Sequence, residues 1–563
     1  MKNKFLHSDL RLAQSHQILE VERSNMIKVK ELSFSFPEKD LYNKISFTLE
    51  NNIHCAFIGT NGTGKSTLVD MLRDPENYMF DGKIEKSEEC RIGYVSQCPQ
   101  LDTAKDITVL EFVSEAFVVM QKEMDVICAN MAIEEELEPL MEQYQSCLDA
   151  FDAVDGHNYE SNIQKSLRLG NLHRHEQLKL SMLSGGEFKL IQVVKEMLLH
   201  PNLLIMDEPD VFLDFDNLNG LKDLINSHEG TMLVITHNRY LLQHCFNKII
   251  HLENTELNEW EGNYMEYNLS LLQRKIELQE MAMADLEEME RNKKIIDRLR
   301  TDATLHACAA KGRAVHARVS LLERLEGQRV KEPFVDIKEP EINLVAEPVM
   351  EEGIALRVED YSVSFEEVLL QHVNFEIGTK EKVAIVGPNG CGKTTLLSEI
   401  YEGKQAGIEV AQGVQIGYLS QQKEEEGHLS RGEKSILQLE KLSKMNANML
   451  LLDEPTSDLD IYAQIALEKA IKGYNGSILM VSHDFYTIVN CMDYVLLIED
   501  KTIRKIRIRK FRQMIYEKHF NKEYLEIENQ KKEIETKIAY ALQENNFKLA
   551  KVLCEDLEKI VKK

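Results

Sequence analysis

The chain has 563 residues and a net charge of −27, with 94 acidic residues against 67 basic ones. This length suggests three or four domains of ordinary size. No run reaches the ~18 apolar residues of a membrane-spanning helix, and ten cysteines without a CxxC pair or a Cys/His cluster argue against a zinc site and for a reduced, cytoplasmic setting.

Residues 1–25 mix Lys, Asp, Arg and Glu, which is no signal peptide. They read as an appendage, because MIKVKELSF from Met26 resembles a first strand. A first module is expected over residues 26–264. GTNGTGKS at 59–66 follows an apolar strand and opens a helix. Gly59, Asn61, Gly62 and Gly64 belong to a loop whose backbone N–H groups can wrap phosphates at a helix N-terminus. Lys65 can reach the β- and γ-phosphates, and Ser66, followed by Thr67, can ligate Mg²⁺. GYVSQ ends on Gln97, a residue able to sense Mg²⁺ and the γ-phosphate. An insertion at about 101–182 follows, and its residues 123–164 hold eleven acids and no Lys or Arg. LSGGE at 183–187 contains Ser184, Gly185 and Gly186. In LLIMDEP, Asp207 ends an apolar strand, where an aspartate can hold Mg²⁺ through water. Glu208 follows and can orient or deprotonate an attacking water, work worth roughly 10²–10⁴ in rate. VITH ends on His237, which can clamp a γ-phosphate and that water.

Residues 265–331 are a charged linker. Leu269, Leu272, Ile276, Met283 and Leu286, and again Met289, Ile296 and Leu299, fall at helical spacing. Val315, Val319 and Leu322 repeat it after a break, so the expectation is two antiparallel helices with a tip near 301–310. Basic charge gathers here: residues 291–331 hold eleven Lys/Arg against four acids, led by Arg291, Lys293, Lys294, Arg298 and Arg300 and answered by Lys311, Arg313 and Arg318. In a chain this acidic, that concentration fits phosphate contact better than a solvated face. Residues 332–353 connect to a second module.

That second module, residues 354–512, repeats every motif of the first in the same order. GPNGCGKT brings Gly387, Asn389, Gly390, Gly392, Lys393 and Thr394, with Thr395 next and Cys391 inside the loop. GYLSQ ends on Gln421, and LSRGE brings Ser430 and Gly432. LLLDEP brings Asp453 and Glu454, and MVSH brings His483. By the same chemistry Thr394, Gln421 and Asp453 are metal candidates beside Ser66, Gln97 and Asp207. A lone histidine is more often structural; two at equivalent places favour function. Residues 513–563 read as a helical extension, a hairpin turning around Asn545 and Asn546. Before it, residues 501–512 carry seven bases and no acid, with Ile506 and Ile508 alternating as in a strand with one basic face.

These motifs resemble the ATP-binding-cassette superfamily, and the LSGGE and LSRGE signatures separate it from other P-loop enzymes. The resemblance implies an α/β fold: two P-loop NTPase ABC cassettes joined by an α-helical coiled-coil linker, with a C-terminal helical hairpin. It implies that the cassettes pack head to tail within a monomer and hold ATP and Mg²⁺ between the P-loop of one and the signature of the other. One site then joins Lys65, Gln97, Glu208 and His237 to Ser430 and Gly432. The other joins Lys393, Gln421, Glu454 and His483 to Ser184 and Gly186. Phe36 and Phe365 stand where the family stacks an aromatic on adenine.

Three departures stand out. Arg431 replaces the first signature glycine, and a guanidinium near a γ-phosphate is compatible with turnover. Asp210 adds a charge two residues after Glu208 and bears on its pKa, while Asp214 and Asp460 preserve a contact across the dimer. Gln97 to Leu183 spans 183 − 97 = 86 positions, but Gln421 to Leu429 only 429 − 421 = 8, so the helical subdomain is almost absent from the second cassette.

Two cassettes, a charged helical linker and no transmembrane segment resemble subfamily F of the ABC proteins, from about Met26 onward. NYMEY at 263–267 and AAKGRAVHARVSLLERLE at 309–326 carry the likeness. It implies a ribosomal partner: the linker would meet rRNA and tRNA near the exit and peptidyl sites, in a translation factor or an antibiotic-protection protein. The acidic insertion is either that subfamily's arm or a solvated helical subdomain. The rival reading is the ATPase subunit of a transporter with separate membrane subunits, which predicts a helical subdomain in both halves. A DNA-repair or chromosome-associated ATPase would carry longer coiled coils inside a cassette.

Overall fold

The computed structural model describes residues 25–37, 39–88, 90–97, 107–133, 137–305, 340–346, 352–365, 368–420, 431–519 and 522–561. They form two compact units. One holds the described residues up to Glu261 together with Glu341–Ile508; the other holds Gly262–Pro340 and those from Arg509 onward.

The first unit contains both cassettes. In the first cassette β1 (Asn25–Phe36), β2 (Lys39–Glu50) and β4 (Asp81–Lys86) form an antiparallel sheet in the order β2-β1-β4. A second sheet comprises β3 (His54–Ile58), β5 (Ile92–Val95), β6 (Leu203–Asp207), β7 (Thr231–Ile235), β8 (Lys248–Glu253) and β9 (Glu256–Glu261) in the order β5-β6-β7-β3-β8-β9. All its pairs are parallel except β8 with β9. Every residue of β6 and β7 is buried, which is why these strands read as continuous apolar runs rather than alternating ones. The helices are α1 (Lys65–Arg73), α2 (Val109–Met131), α3 (Glu138–Ala153), α4 (Tyr159–Leu169), α5 (Gly185–Leu198), α6 (Phe215–Ser227) and α7 (Arg239–His244). The acidic insertion supplies α2, α3 and α4.

The linker opens with α8 (Tyr264–Leu305). The second cassette repeats the plan. Here β10 (Ile354–Ser364), β11 (Val368–Gly378) and β13 (Ile408–Val410) make the antiparallel sheet. The larger sheet runs β14-β15-β16-β12-β17-β18, from β12 (Lys382–Val386), β14 (Ile416–Leu419), β15 (Met449–Asp453), β16 (Ser477–Val481), β17 (Tyr494–Glu499) and β18 (Thr502–Arg507). Its helices are α9 (Lys393–Glu402), α10 (Arg431–Ser443), α11 (Ile461–Gly473) and α12 (Phe485–Cys491). In both large sheets the P-loop strand lies beside the one that ends before the histidine, which lies beside the one that ends in Asp-Glu. Three chemical motifs therefore meet at the carboxyl ends of adjacent parallel strands, where α/β sheets bind ligands.

The second unit is helical. Its α8 has 42 residues, about 63 Å at ~1.5 Å per residue. The helix continues to Leu305, so the first part of the expected tip is helical; the return helix lies outside the described residues. After α13 (Ile508–His519), α14 (Lys522–Gln543) and α15 (Phe547–Val561) form the C-terminal hairpin. Ile508 thus starts a helix rather than extending β18, a correction to the alternation read from the sequence. The proximal part of the linker stripe has a partner that the sequence did not indicate. Leu269, Leu272 and Ile276 pack against Ile538, Ala541, Ala550, Cys554 and Leu557 of the hairpin. Periodicity identified an apolar face but not its occupant. Among the described residues no helix is long and apolar enough to cross a membrane.

Candidate active site

Each P-loop passes from its strand into a helix through a left-handed glycine: Gly64 (φ 97°) caps α1 and Gly392 (φ 95°) caps α9. A Cβ on Gly64 would lie 2.8 Å from the Tyr42 hydroxyl, which itself donates to Gly64 O at 2.5 Å. Lys39 Nζ donates to Gly62 O at 2.8 Å. The P-loop lysines are buried. Lys65 Nζ donates to the carbonyls of Gly59 and Thr60, both at 3.0 Å, and Lys393 Nζ to those of Gly387 and Pro388 at 2.9 and 2.7 Å. Burial holds Lys65 below its ordinary pKa. Cys391 packs against the second core, and burial pushes its thiol up.

The acids follow the strands. Burial raises Asp207, with the Ser66 hydroxyl beside it opposing. Burial likewise raises Asp453 to about 6. The Thr394 hydroxyl eases that charge without a hydrogen bond of good geometry, and among the described residues neither Asp453 oxygen nor the buried Asp207 Oδ1 has a hydrogen-bond partner. Glu208 and Glu454 take left-handed backbone (φ 45° and 49°) directly before Pro209 and Pro455. Such strain in a non-glycine residue persists only where the surroundings impose it. Glu208 is pushed up to about 7 by burial and then by Asp207, against Gln97, with Asp210 adding a smaller push. Gln97 Nε2 donates to Glu208 Oε2. Glu454 also rises to about 7, chiefly through burial. His483 donates its backbone N–H to Glu454 Oε2 at 3.3 Å, and its Nε2 lies 3.4 Å from Oε1. Burial lowers His483, so that contact involves a neutral ring. His237 is buried, also held neutral, and among the described residues neither ring nitrogen has a hydrogen-bond partner.

The cassettes meet at these residues. A cavity of about 450 Å³ is lined by Asn389, Gly390, Gly392, Lys393, Thr394 and Thr395 from the second P-loop. Asp453, Glu454 and His483 from the same cassette line it, and so do Ser184, Gly185 and Gly186 from the other. Ser184 is the N-cap of α5 in a capping box with Glu187, so the signature presents a helix N-terminus to the cavity. Asn389 Nδ2 donates to Phe212 O at 2.8 Å, and Asn389 N to Asp214 Oδ2 at 3.3 Å. The reciprocal pair lies at the first P-loop: Asn61 N donates to Asp460 Oδ2 and Asn61 Nδ2 to Asp458 O, both at 2.9 Å. Gly432 packs on Asn61. Ser430 and Gln421 lie outside the described residues. Phe36 and Phe365 are exposed, 48% and 71%.

The family model described as ABC transporter matches residues 42–211 and 370–416, and a second of that description matches residues 250–344. YdiF of Bacillus subtilis (strain 168) is 30% identical over 532 residues, 85% of this chain and 81% of its own length. The chain belongs to the ABC-F subfamily of the ABC proteins. Energy-dependent translational throttle protein EttA of Escherichia coli (strain K12) is 27% identical over 519 residues, 83% of this chain and 90% of EttA. A chain in the crystal structure of archaeal ribosomal stalk protein aP1 with the archaeal ribosome recycling factor aABCE1 shares the fold, with a TM-score of 0.52 at 15% identity. That match covers 87% of this chain and 92% of the other. As an ABC-F protein the chain is an ATPase.

Three residues of this ABC-F site escaped the sequence reading. Lys189, 2% exposed, donates from the signature helix to the carbonyls of Ser96 and Gln97. Glu253 accepts from Thr60 N and Oγ1 at 3.1 and 2.8 Å; Pro388 at the equivalent place has no N–H to offer. Arg239 crosses to the other cassette. The available signal was mismatch between the repeats: Lys189 against Ser435, Thr60 against Pro388, Arg239 against Phe485.

Proposed function

We propose that the chain binds ATP with Mg²⁺ at two composite sites and acts on the ribosome, as a translation factor or an antibiotic-protection protein. The observation that carries the ATP sites is the cavity uniting Lys393, Glu454 and His483 with Ser184 and Gly186. Buried carboxylate oxygens without a partner beside a hydroxyl suit a hard cation that takes oxygen ligands. Asp207 with Ser66, and Asp453 with Thr394, would hold Mg²⁺, assisted by Gln97 in the first site and Gln421 in the second. The bound ion would neutralise phosphate charge. Glu208 and Glu454 accept a proton from water near neutral pH, as their raised pKa allows. His237 and His483, kept neutral, donate one ring N–H toward the γ-phosphate. Lys65, Lys393 and the signature helix N-termini supply positive potential.

The ribosomal reading is supported by the likeness to EttA, a translational throttle protein, and by α8, where Arg291, Lys293, Lys294 and Arg298 are exposed. Among the described residues Arg291 pairs with Glu287 on the solvent side of the helix, and an exposed pair of that kind yields readily to phosphate. A transporter ATPase would need a helical subdomain in each half, and residues 421–430 are too few for one. The test is ATP-dependent pelleting with ribosomes. Reversing charge at Arg291, Lys293, Lys294 and Arg298 should weaken it, more so at higher salt, because phosphate contacts exchange with counterions. Full pelleting of the reversed chain at every salt concentration would make this face a merely solvated one.

A further inference from the structure

Arg239 stands two residues after His237, at the start of α7, with its side chain 12% exposed. Its Nη2 lies 2.5 Å from Glu468 Oε1 and 2.9 Å from Asp484 Oδ2. Both acids belong to the second cassette. Glu468 is on α11, the helix that Asp460 caps, and Asp460 is the residue that holds Asn61 in the first P-loop. Asp484 directly follows His483 and caps α12 by accepting from Tyr486 N at 3.0 Å. Thr487 Oγ1 lies 2.6 Å from Asp484 Oδ2 and 3.2 Å from Glu468 Oε1. Asn490 Nδ2 donates to Glu468 Oε2 at 3.0 Å. The guanidinium also faces the Tyr486 ring at 5.1 Å, and Tyr486 Oη donates back across the boundary to Gln243 Oε1 at 2.6 Å.

One cation thus touches the loop carrying His237, the helix behind Asp460 and the loop carrying His483. The first two serve one ATP site and the third serves the other. The repeat does not duplicate this arrangement. Phe485 takes the place of Arg239, and its ring lies 5.9 Å from Phe215 on the helix that Asp214 caps. That contact is apolar and places no charge across the boundary.

We propose that Arg239 is a positioning residue that couples the two ATP sites, by tying the His237 loop to Glu468 and Asp484 so that neither histidine loop shifts without the other. A single guanidinium nitrogen, Nη2, meets both carboxylates in a largely buried setting, where charge-assisted hydrogen bonds are strong. Opening the cassettes at this point would separate one charge from two, so the cluster favours both sites closing together.

The inference rests on the reading that both sites hydrolyse ATP. The control is therefore Lys65→Ala and Lys393→Ala in the otherwise unchanged chain. Coupled sites predict that each lowers turnover by more than ~10-fold; independent sites predict about twofold. A twofold loss in both would remove the coupling itself and overturn the proposal at that step. The main test is Arg239→Met with Glu468→Met. Removing one partner of a buried pair strands a charge, whereas replacing both with apolar residues is often neutral for folding; Asp484, the more exposed of the two acids, keeps its hydrogen bonds from Tyr486 N and Thr487 Oγ1. In that background Lys65→Ala or Lys393→Ala should lower turnover only about twofold, and the Hill coefficient for ATP should fall to about 1. A folded double variant that keeps the ~10-fold losses contradicts the proposal. So does one with no turnover at all, since Arg239 would then be needed inside each site. Should the double variant not fold, Arg239→Lys carries the test. Lysine's side chain is one bond shorter and should hold the two carboxylates less closely, giving losses between the two limits; unchanged ~10-fold losses there would contradict the proposal equally.

Discussion

Asp460 divides its carboxylate between two cassettes: Oδ1 accepts from Ala463 N at 2.9 Å, capping its own helix, and Oδ2 accepts from Asn61 N in the opposite P-loop at 2.9 Å. Asp214 does the same, with Asn217 N at 2.9 Å and Asn389 N at 3.3 Å. A helix start in each cassette is therefore formed by the residue that reads the other's phosphate loop.

This division separates two losses. Asp460→Ala should remove both contacts and lower stability by about 1 kcal/mol, the usual value of an N-cap. Asp460→Asn keeps a capping oxygen but turns an amide N–H₂ toward Asn61. Thermal melts should show near wild-type Tm for Asn and a lower one for Ala, while ATP turnover falls in both. Equal melting of the two variants would mean that the cap contributes nothing.

The signature glycines make a steric prediction. A Cβ on Gly186 would sit 2.6 Å from Phe212 O, and one on Gly432 would run into the Asn61 amide and lie 2.8 Å from Asp458 O. A Cβ on Gly185 meets nothing within 4 Å. Gly186→Ala and Gly432→Ala should impair closure and lower turnover; Gly185→Ala should leave it near wild type. The open space at Gly185 also explains why its counterpart in the repeat can be Arg431. Turnover measured on the three variants decides this, and equal loss at Gly185 contradicts it.

Glu208 and Glu454 stand near pKa 7 against an ordinary 4.5. Their folded-state pKa lies above the unfolded one, so the native chain binds more protons between about pH 4.5 and 7, and stability falls as pH rises through that window. At 1.36 kcal/mol per unit the full shift would amount to ~3 kcal/mol each. Both side chains line the cavity and keep a little exposure, 13% for Glu454, so solvent in the cavity screens them and about 2 kcal/mol each is the better figure. Glu208→Gln with Glu454→Gln should therefore melt higher than wild type at pH 8, with the gap closing toward pH 5. A double variant that melts lower at pH 8 contradicts the raised pKa.

The same groups set the rate profile. A base with pKa near 7 in the free protein should make kcat/KM for ATP fall roughly tenfold per pH unit below 7. A profile flat down to pH 5 would show that neither glutamate is the base.

Much of this site was legible because its chemistry restricts residue type. Phosphate wrapping calls for glycines, a hard cation for carboxylates at strand ends, and both motifs occur twice. Asp214 and Asp460 are recognisable as cross-cassette residues only through the family resemblance, which places an aspartate at that point of the motif. The contacts at Arg239, Lys189 and Glu253 were not legible, since a cation or acid inside an apolar run looks the same whether it crosses a boundary or faces solvent. The linker shows the same limit. Leu269 and Ile276 were identified as an apolar stripe, but helical spacing says nothing of which element covers it, and the C-terminal hairpin covers it.

The most direct measurement is co-sedimentation of the Glu208→Gln/Glu454→Gln chain with ribosomes in ATP. Both substitutions keep side-chain shape and remove the base, so ATP should bind and the cassettes should remain closed on their target. The account predicts that the double variant pellets with ribosomes in ATP, that it does so less in ADP, and that it arrests translation. A double variant that binds ATP and never pellets with ribosomes would contradict it.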